Sequence, residues 1–175
     1  MNLGYYKIAG SSVGDPSFAT DGSACFDLRA DLSRNIPIKG FTGDELKVLP
    51  LLIQEDTKGK FITLSPSEHL RWMIPTGLIF DIPVGYHVAV YMRGGSGLKR
   101  GIRLANGTGI IDWDYVDETR LLLQNLSGQE MRIDHNERLC QAILHVNVDT
   151  QLVPLTESPA QKTTRTAGFN STGRM

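Results

Sequence analysis

A glycine-rich stretch combines small residues with fixed cations: Arg93-Gly94-Gly95-Ser96-Gly97-Leu98-Lys99-Arg100-Gly101. Backbone N–H groups without bulky side chains can approach phosphate oxygens closely, and arginine or lysine neutralises their charge. The stretch lacks the Gly-Lys-Ser/Thr triplet of a phosphate-binding P-loop and the Gly-x-Ser-x-Gly pattern of a hydrolase. It therefore indicates either a phosphate-binding segment or a plain glycine-rich loop.

A second stretch places an amide and two carboxylates close to a turn: Ala105-Asn106-Gly107-Thr108-Gly109-Ile110-Ile111-Asp112-Trp113-Asp114-Tyr115. Asn-Gly favours a tight turn, which predicts two strands folding back around residues 106–109 as a hairpin. The exposed backbone of such a hairpin, together with the Asn106 amide, could recognise the edge of a flat heterocycle. Asp112 could accept a proton or hold a water molecule. An acidic turn at a strand end is the alternative.

Histidines and cysteines do not form a metal-binding pattern. His69, His87, His135 and His145 are scattered along the chain, and neither cysteine has a nearby ligand at zinc-site spacing. The sequence therefore predicts no structural zinc.

A third stretch, residues 136–143, is a turn that leads into an apolar strand and by itself indicates only structure.

Composition bounds the class of protein. The chain has 175 residues, 41% of them hydrophobic, and a net charge of −1, which fits one globular domain and excludes a disordered chain. The charge gives no support for nucleic-acid binding, and no run is long enough for a membrane span. Two cysteines and no secretory signal at the start of the sequence predict a cytoplasmic protein.

The elements that must position these residues are short strands. Turn residues at regular spacing separate apolar or alternating runs and predict an all-β sandwich or barrel. The predicted strands lie within 23–30, 36–38, 78–82, 87–92, 102–104, 109–111, 120–125, 131–133 and 142–148. Only residues 67–72 and 96–100 could form a short helical turn.

Two segments depart from this pattern of short strands and turns. Residues 41–63 contain apolar runs and a polar turn, which predicts an inserted hairpin or, alternatively, a loop. Residues 157–175 are rich in Thr, Ser, Gly, Lys and Arg, with Phe169 as the single aromatic residue, and this composition is typical of a disordered tail.

Taken together and in order, five segments resemble the motifs of the trimeric dUTPases, the deoxyuridine triphosphate nucleotidohydrolases. Residues 93–115 match without a gap, ending in Gly109-Ile110-Ile111-Asp112-Trp113-Asp114-Tyr115. Residues 24–28, 137–141 and 168–173 resemble the first, fourth and fifth motifs. The resemblance implies an all-β fold of dUTPase-like β-barrel or jelly-roll (β-clip) type with one very short helix. It also implies a single domain over 1–156 and a flexible C-terminal arm over 157–175.

The resemblance implies hydrolysis of dUTP to dUMP and pyrophosphate, with water attacking the α-phosphorus. Asp112 matches the general base that orients this water. Mg²⁺ in the family is held mainly by the substrate phosphates, and Asp27 matches the carboxylate that contacts the waters of that ion. The other residues that match substrate-binding positions are Arg93, Ser96, Gly97, Asn106, Gly109, Ile111, Tyr115, Gln141, Arg165, Phe169, Ser171 and Thr172.

Within that set, the turn at Asn106 is expected to recognise uracil and Tyr115 to pack on deoxyribose, leaving no room for a 2′-hydroxyl. Phe169 is expected to cover the base, and Ser171 and Thr172 to reach the γ-phosphate. The disordered tail then becomes a lid that closes over bound substrate. The resemblance further implies a homotrimer in which each site draws on neighbouring chains.

Several positions depart from the family pattern. Gly94 stands where a serine is usual, Asp117 stands where a glycine is usual, and Arg165 lies one residue closer to the fifth motif than the family's arginine. Asn136 and Asn170 replace glycines, and asparagine is the side chain that best tolerates a left-handed backbone. Insertions and altered motifs of this kind suit a viral or phage member, for which the compartment is the host cytoplasm.

Three alternatives remain. The related dCTP deaminases share the fold, but their catalytic glutamate falls at Leu122, three residues before Asn125. A dUTPase-fold protein with changed nucleotide selectivity, or one that acts mainly by binding a partner through residues 41–63, is the second. A β-structural or sugar-binding domain is the third, and it does not explain five ordered motifs.

Overall fold

A computed structural model describes residues 1–43 and 48–164. Within these ranges the chain forms fourteen strands and one short helix, α1, at Gly94–Arg100. The strands are β1 Gly4–Lys7, β2 Phe26–Arg29, β3 Ile38–Phe41, β4 Leu49–Leu51, β5 Gln54–Asp56, β6 Gly59–Leu64, β7 Arg71–Pro75, β8 Leu78–Asp81, β9 Tyr86–Met92, β10 Ile102–Leu104, β11 Gly109–Asp112, β12 Arg120–Asn125, β13 Met131–Asp134 and β14 Arg138–Val146. The predicted all-β class with one very short helix is confirmed.

Two antiparallel sheets form the body of the molecule. One has five strands in the order β10-β12-β7-β3-β4, and the other has four in the order β11-β9-β14-β2. A three-stranded sheet, β13-β6-β5, and the pair β1-β8 complete the fold. No helix among the described residues is long and apolar enough to span a membrane.

Alternation along the strands separates a core face from an outer face. In the four-stranded sheet Val88 and Val90 of β9 pair with Leu144 and Ala142 of β14, and most of these side chains are buried. Because successive side chains of a strand point to opposite faces, His87, which precedes Val88, faces away from this core. Chemistry-bearing residues of the sheet therefore share its outer face.

Local turn chemistry ends the helix and shapes one hairpin. Gly101 follows α1 with φ +62°, and a Cβ there would lie 2.9 Å from Ser127 Cα, so only glycine fits. Asn136 has φ +65° and is the one non-glycine residue with positive φ in the part of the chain that the structure describes. The expectation that asparagine keeps the left-handed turn at this position is confirmed.

Some sequence predictions differ from the structure. Residues 67–72 do not form a helical turn, because Arg71 and Trp72 already belong to β7. The strand predicted over 23–30 is limited to β2, and the last strand, β14, begins earlier, at Arg138. Residues 41–63 contain β4, β5 and most of β6, and β5 and β6 pair as a hairpin. Whether this segment is an insertion stays a prediction.

Candidate active site

A pocket of about 250 Å³ opens between the two main sheets. Its walls come from β7 and β12 of the five-stranded sheet, from β9 and β11 of the four-stranded sheet, and from the loops that follow β10 and β11. The lining residues are Met73, Val90, Leu104, Asn106, Gly109, Ile110, Ile111, Asp112, Tyr115, Thr119, Arg120 and Leu122. Apolar walls with a few polar side chains are typical of a small-molecule site.

The turn beside the pocket joins two sheets, and the predicted hairpin around residues 106–109 is wrong in this respect. Among the described residues β10 pairs with β12, and β11 pairs with β9, so the two strands share no ladder. The turn is held by Gly107 N donating to Leu104 O at 3.1 Å and by Ala105 N donating to Leu122 O at 2.7 Å. Diverging strands open the space that a paired hairpin would close.

Asp112 ends β11 at the mouth of this pocket. Its side chain is exposed, and its cross-strand partner on β9 is His87. The backbone N–H of Tyr115 donates to the Asp112 carbonyl at 3.1 Å, which turns the chain immediately after the strand. An ionised carboxylate at the edge of a partly apolar pocket can orient a water molecule toward a bound ligand.

Tyr115 lies on the exposed loop between β11 and β12. Its hydroxyl donates to the Glu118 carbonyl at 3.1 Å. Partial burial and then the nearby charge of Asp117 raise the pKa of the Tyr115 hydroxyl, and Arg120 opposes this effect. The phenol is therefore un-ionised near neutral pH and acts as a hydrogen-bond donor.

A second polar cluster surrounds Asp27 on β2. Arg93 Nε lies 2.9 Å from Asp27 Oδ1, and Arg138 Nη1 lies 3.2 Å from Asp27 Oδ2. Gln141 is the cross-strand partner of Asp27, while Ser96 is buried in α1, which begins directly after Arg93. Gly97 lies beside Ser96 in the same helix. This cluster groups the cationic and glycine-rich residues that the sequence assigned to phosphates.

The two groups lie far apart within one chain. Asp112 and Asp27 lie on opposite edge strands, three strand positions apart. Across the ladder Asp112 is level with His87 of β9, and Asp27 is level, through Gln141, with Tyr91 of β9. These two positions on β9 are four residues apart. At about 4.8 Å per strand and about 3.3 Å per residue, the two backbones are separated by roughly 20 Å. A single chain thus brings together the turn residues and, separately, the phosphate residues.

A buried polar network supports the pocket wall from behind. Asp31 is fully buried, and Arg34 Nε donates to its Oδ2 at 2.8 Å. Arg34 also contacts Glu118 Oε1, which in turn accepts the Gly77 N–H at 2.9 Å. Burial alone would raise the pKa of Asp31, but hydrogen bonds from Ser33, Ser11 and Arg34 outweigh burial and lower it. Asp31 therefore remains ionised.

Within residues 1–43 and 48–164, the side chains do not by themselves form a metal cage. Among the described residues no group of three or more His, Cys, Asp or Glu side chains could hold a metal ion. Each Asp27 oxygen has one described arginine contact, and a carboxylate oxygen offers two lone-pair directions. Asp27 therefore fits a contact to the waters of an ion that is held mainly by a ligand.

Comparison with known proteins identifies the family to which the chain belongs. The dUTPase family model matches residues 60–173. A deoxyuridine 5′-triphosphate nucleotidohydrolase from Bartonella bacilliformis is 33% identical over an alignment that covers 94% of this chain and 85% of that protein. The corresponding protein of Fusobacterium nucleatum is 29% identical, with 91% of this chain and 89% of that protein covered. The chain belongs to the dUTPase family.

Solved structures show the same fold. The dUTPase of Staphylococcus bacteriophage 80alpha with dUPNHPP superposes with a TM-score of 0.70 at 16% identity, covering 99% of each chain. The dUTPase from Streptococcus mutans gives a TM-score of 0.57 at 18% identity, covering 85% of this chain and 98% of the other. The predicted dUTPase-like jelly-roll is confirmed, and no closed barrel is required.

The described residues of this dUTPase fold include most of the predicted site residues. Asn106, Gly109, Ile111, Asp112 and Tyr115 line one pocket, so the structure brings this subset together. A second subset lies around α1 and β2, in the cluster described above: Asp27, Arg93, Ser96, Gly97 and Gln141. Four predicted residues lie outside the described residues: Arg165, Phe169, Ser171 and Thr172.

Sequence reasoning missed several residues of the pocket and its support. Thr119 and Arg120 line the pocket, and Thr119 Oγ1 is buried without a hydrogen-bond partner in the structure. A lone arginine at the start of the apolar run 120–123 is the one local signal that could have pointed to Arg120. Glu118 and Arg34 carry no such signal, because they are 84 residues apart in the chain.

Proposed function

We propose that this protein hydrolyses dUTP to dUMP and pyrophosphate. The observation that carries the proposal is the pocket under the turn at Asn106, with Asp112 at its mouth, in a chain of the dUTPase family. Water attacks the α-phosphorus, the bond to the bridging oxygen of the β-phosphate breaks, and pyrophosphate leaves. Asp112 orients the water and accepts its proton. This activity lowers the dUTP level and supplies dUMP, the precursor for thymidylate synthesis.

The base and sugar occupy the pocket in this proposal. The turn backbone and the Asn106 amide contact uracil, while Gly109, Ile111 and Tyr115 pack around the base and deoxyribose. A site that hydrogen-bonds uracil leaves its own polar groups unpaired when cytosine binds, which supports selectivity. Leu122 on the pocket wall supports hydrolysis over deamination, because it has no carboxylate to transfer protons.

The triphosphate lies on the second cluster. Arg93 contributes charge, and Ser96, Gly97 and Gln141 contribute polar or close-approach contacts. When bound with the substrate, Mg²⁺ would offset charge that develops on the phosphates, and Asp27 would contact its waters. A dUTPase variant from phage phi11 of S. aureus is described with a structural Mg(II) ion, at a TM-score of 0.64 and 16% identity over 90% of this chain and 98% of the other.

A homotrimer with shared sites is part of this proposal, and the separation of the two clusters supports the sharing of sites between chains. Asp112 and Asp27 must act on one triphosphate, yet roughly 20 Å divides them within a chain, so different chains would supply them. Exposed apolar residues beyond β14 supply surface for such contacts. Val148 is 79% exposed, Leu152 is 95% exposed and Leu155 is 69% exposed. We infer a cytoplasmic location, or the host cytoplasm for a viral protein.

In this proposal residues 157–175 close over the active site as a lid. Arg165, Ser171 and Thr172 contact the phosphates, and Phe169 covers the base. Closure excludes water from the reacting centre. Deleting the residues after Thr163 is expected to lower turnover far more than thermal stability. Equal losses of turnover and stability would instead assign the segment a structural role.

The decisive experiment measures pyrophosphate release from dUTP, dCTP, dTTP and UTP with Mg²⁺. We expect turnover of dUTP, and a loss of at least about a hundredfold in Asp112→Asn, in the range that a positioned general base contributes. Asp114→Asn is the matched control, because Asp114 is an exposed carboxylate two residues along that does not line the pocket. No turnover of dUTP, or full activity in Asp112→Asn, would contradict the proposal.

A further inference from the structure

The loop from Trp113 to Asp117 carries Tyr115 on a span that is exposed throughout. Tyr115 itself is 43% exposed. Two hydrogen bonds define its position: its N–H donates to Asp112 O, and its hydroxyl donates to Glu118 O, each at 3.1 Å. The backbone of Tyr115 is therefore tied to Asp112, and the Glu118 carbonyl is the contact that orients the phenol.

Glu118 is held far more firmly than the loop that it anchors. Its carboxylate is almost fully buried and binds both the Gly77 N–H and Arg34. Arg34 is itself fixed by Asp31, which is fully buried. On the far side the carbonyl of Thr119 accepts the Thr76 hydroxyl at 2.6 Å, and its N–H donates to Leu78 O at 2.9 Å.

We infer that the ion pair between Arg34 and Glu118 is a positioning device for Tyr115. By fixing Glu118, the pair fixes the carbonyl that the phenol binds, and so sets how closely the ring packs on the sugar. Arg34 is absent from the pocket lining, and its contact with Glu118 is the link that leads to Tyr115. This inference rests on the proposed function, in which Tyr115 leaves no room for a 2′-hydroxyl.

Sugar discrimination is the property that such a device controls. Rejection of one hydroxyl by packing needs the ring to be held against the sugar, and a small displacement opens enough space. Removing the device should therefore relax the preference for dUTP over UTP, whereas a purely structural ion pair would change stability alone. If the ion pair positions Tyr115, its effect on the preference for dUTP over UTP requires the Tyr115 hydroxyl. A purely structural ion pair has no such requirement.

The test is a double-mutant cycle read as the ratio of kcat/KM for dUTP to kcat/KM for UTP, with Mg²⁺, on the full chain. The variants are Arg34→Lys, Tyr115→Phe and their combination. Arg34→Lys keeps the charge but loses the forked geometry that joins two carboxylates. Arg132→Lys is the matched control, because Arg132 also joins two carboxylates, Asp56 and Asp134, away from the pocket. Thermal midpoints are recorded for every variant.

Each single variant is expected to lower the ratio about two- to tenfold, the range that one net hydrogen bond contributes. The combined variant should show the ratio of Tyr115→Phe alone, although its thermal midpoint falls further. Arg132→Lys should keep the wild-type ratio. The inference is overturned if Arg34→Lys keeps the wild-type ratio, or if its effect on the ratio persists in full without the Tyr115 hydroxyl. Failure of the wild type to hydrolyse dUTP would instead contradict the proposed function.

Discussion

Gly77 combines three demands that no other residue type meets at once. Its φ is +70°, its N–H binds Glu118, and a Cβ would lie 2.4 Å from Ser11 Oγ and 2.5 Å from Asp31 Oδ2. A left-handed backbone costs about 1–2 kcal/mol for a residue with a side chain, and overpacking adds about 1–3 kcal/mol. The close approach of Gly77 to Asp31 is thus what lets a buried carboxylate lie beneath the pocket wall.

Gly77→Ala should lower the free energy of unfolding by about 2–5 kcal/mol, measured by urea denaturation. Gly85→Ala is its control, because Gly85 has φ +83° but open space where the Cβ would be. The control should lose about 1 kcal/mol, from the backbone alone. Equal losses in the two variants would show that the contact with Asp31 contributes nothing.

The two cysteines differ in reactivity for a reason that is equally local. Burial raises the pKa of the Cys140 thiol to about 12, whereas Cys25 is partly exposed. At pH 8 only about one Cys140 thiol in ten thousand is ionised, and the thiolate is the reactive form. A disulfide-exchange reagent should therefore label one thiol per folded chain quickly and the second only after denaturation. Rapid labelling of both in the native protein would contradict this assignment.

At the scale of elements, one arginine of the neighbouring strand β13 contacts both strands of the hairpin β5–β6. Arg132 binds Asp56 of β5 at 2.7 Å, and its guanidinium lies 3.6 Å from the centre of the Phe61 ring of β6. All three residues of β5 are exposed, so the strand buries little surface of its own. The arginine therefore adds a side-chain link across three strands whose backbones already pair in the order β13-β6-β5.

Arg132→Gln should speed amide hydrogen exchange in residues 54–56 while leaving β9 and β14 protected. Exchange reports local opening, and an edge strand with few buried contacts opens most easily. The activity with dUTP should be unchanged, since the hairpin does not line the pocket. Unchanged exchange in β5 would mean that backbone pairing alone holds the strand.

The elements also mark where sequence reasoning reaches its limit. Strands β10 and β12 have the predicted bounds. Gly101 and Asn106-Gly107 mark the two ends of β10, and Asn125 with Gly128 marks the end of β12. The pairing of β10 with β12 was not predictable, since Asn106-Gly107 favours a local hairpin between β10 and β11. Only long-range packing places β10 and β11 in separate sheets. Arg34 and Glu118 lie beyond prediction for the same reason: each is an ordinary charged residue until the fold joins them.

At the scale of the molecule, acid sensitivity should concentrate in the buried network. The pKa of Asp31 is lowered in the folded chain, so its contribution to stability is complete above the ordinary value of about 3.9 and is lost as the pH falls through the lowered value. Asp15 and Asp56 also have lowered pKa values, through Lys7 and Arg132, but both lie at the surface, where salt screens charges.

Asp31→Asn should be less stable than the wild type at pH 7 by about 3 kcal/mol, because Arg34 loses a buried partner. The gap should narrow as the pH falls below about 4, since the wild type then loses the same charge. Thermal unfolding from pH 7 to pH 3, repeated at high salt, measures both effects. A gap that is constant across this range would show that Asp31 does not titrate with folding.

The pocket lies on the seam between two sheets that are joined there by a turn and not by a ladder. Any ligand that fills this space touches one wall from each sheet, so sliding of one sheet against the other must either squeeze the ligand or expel it. Binding of the proposed substrate would therefore restrict sliding of the two sheets against each other.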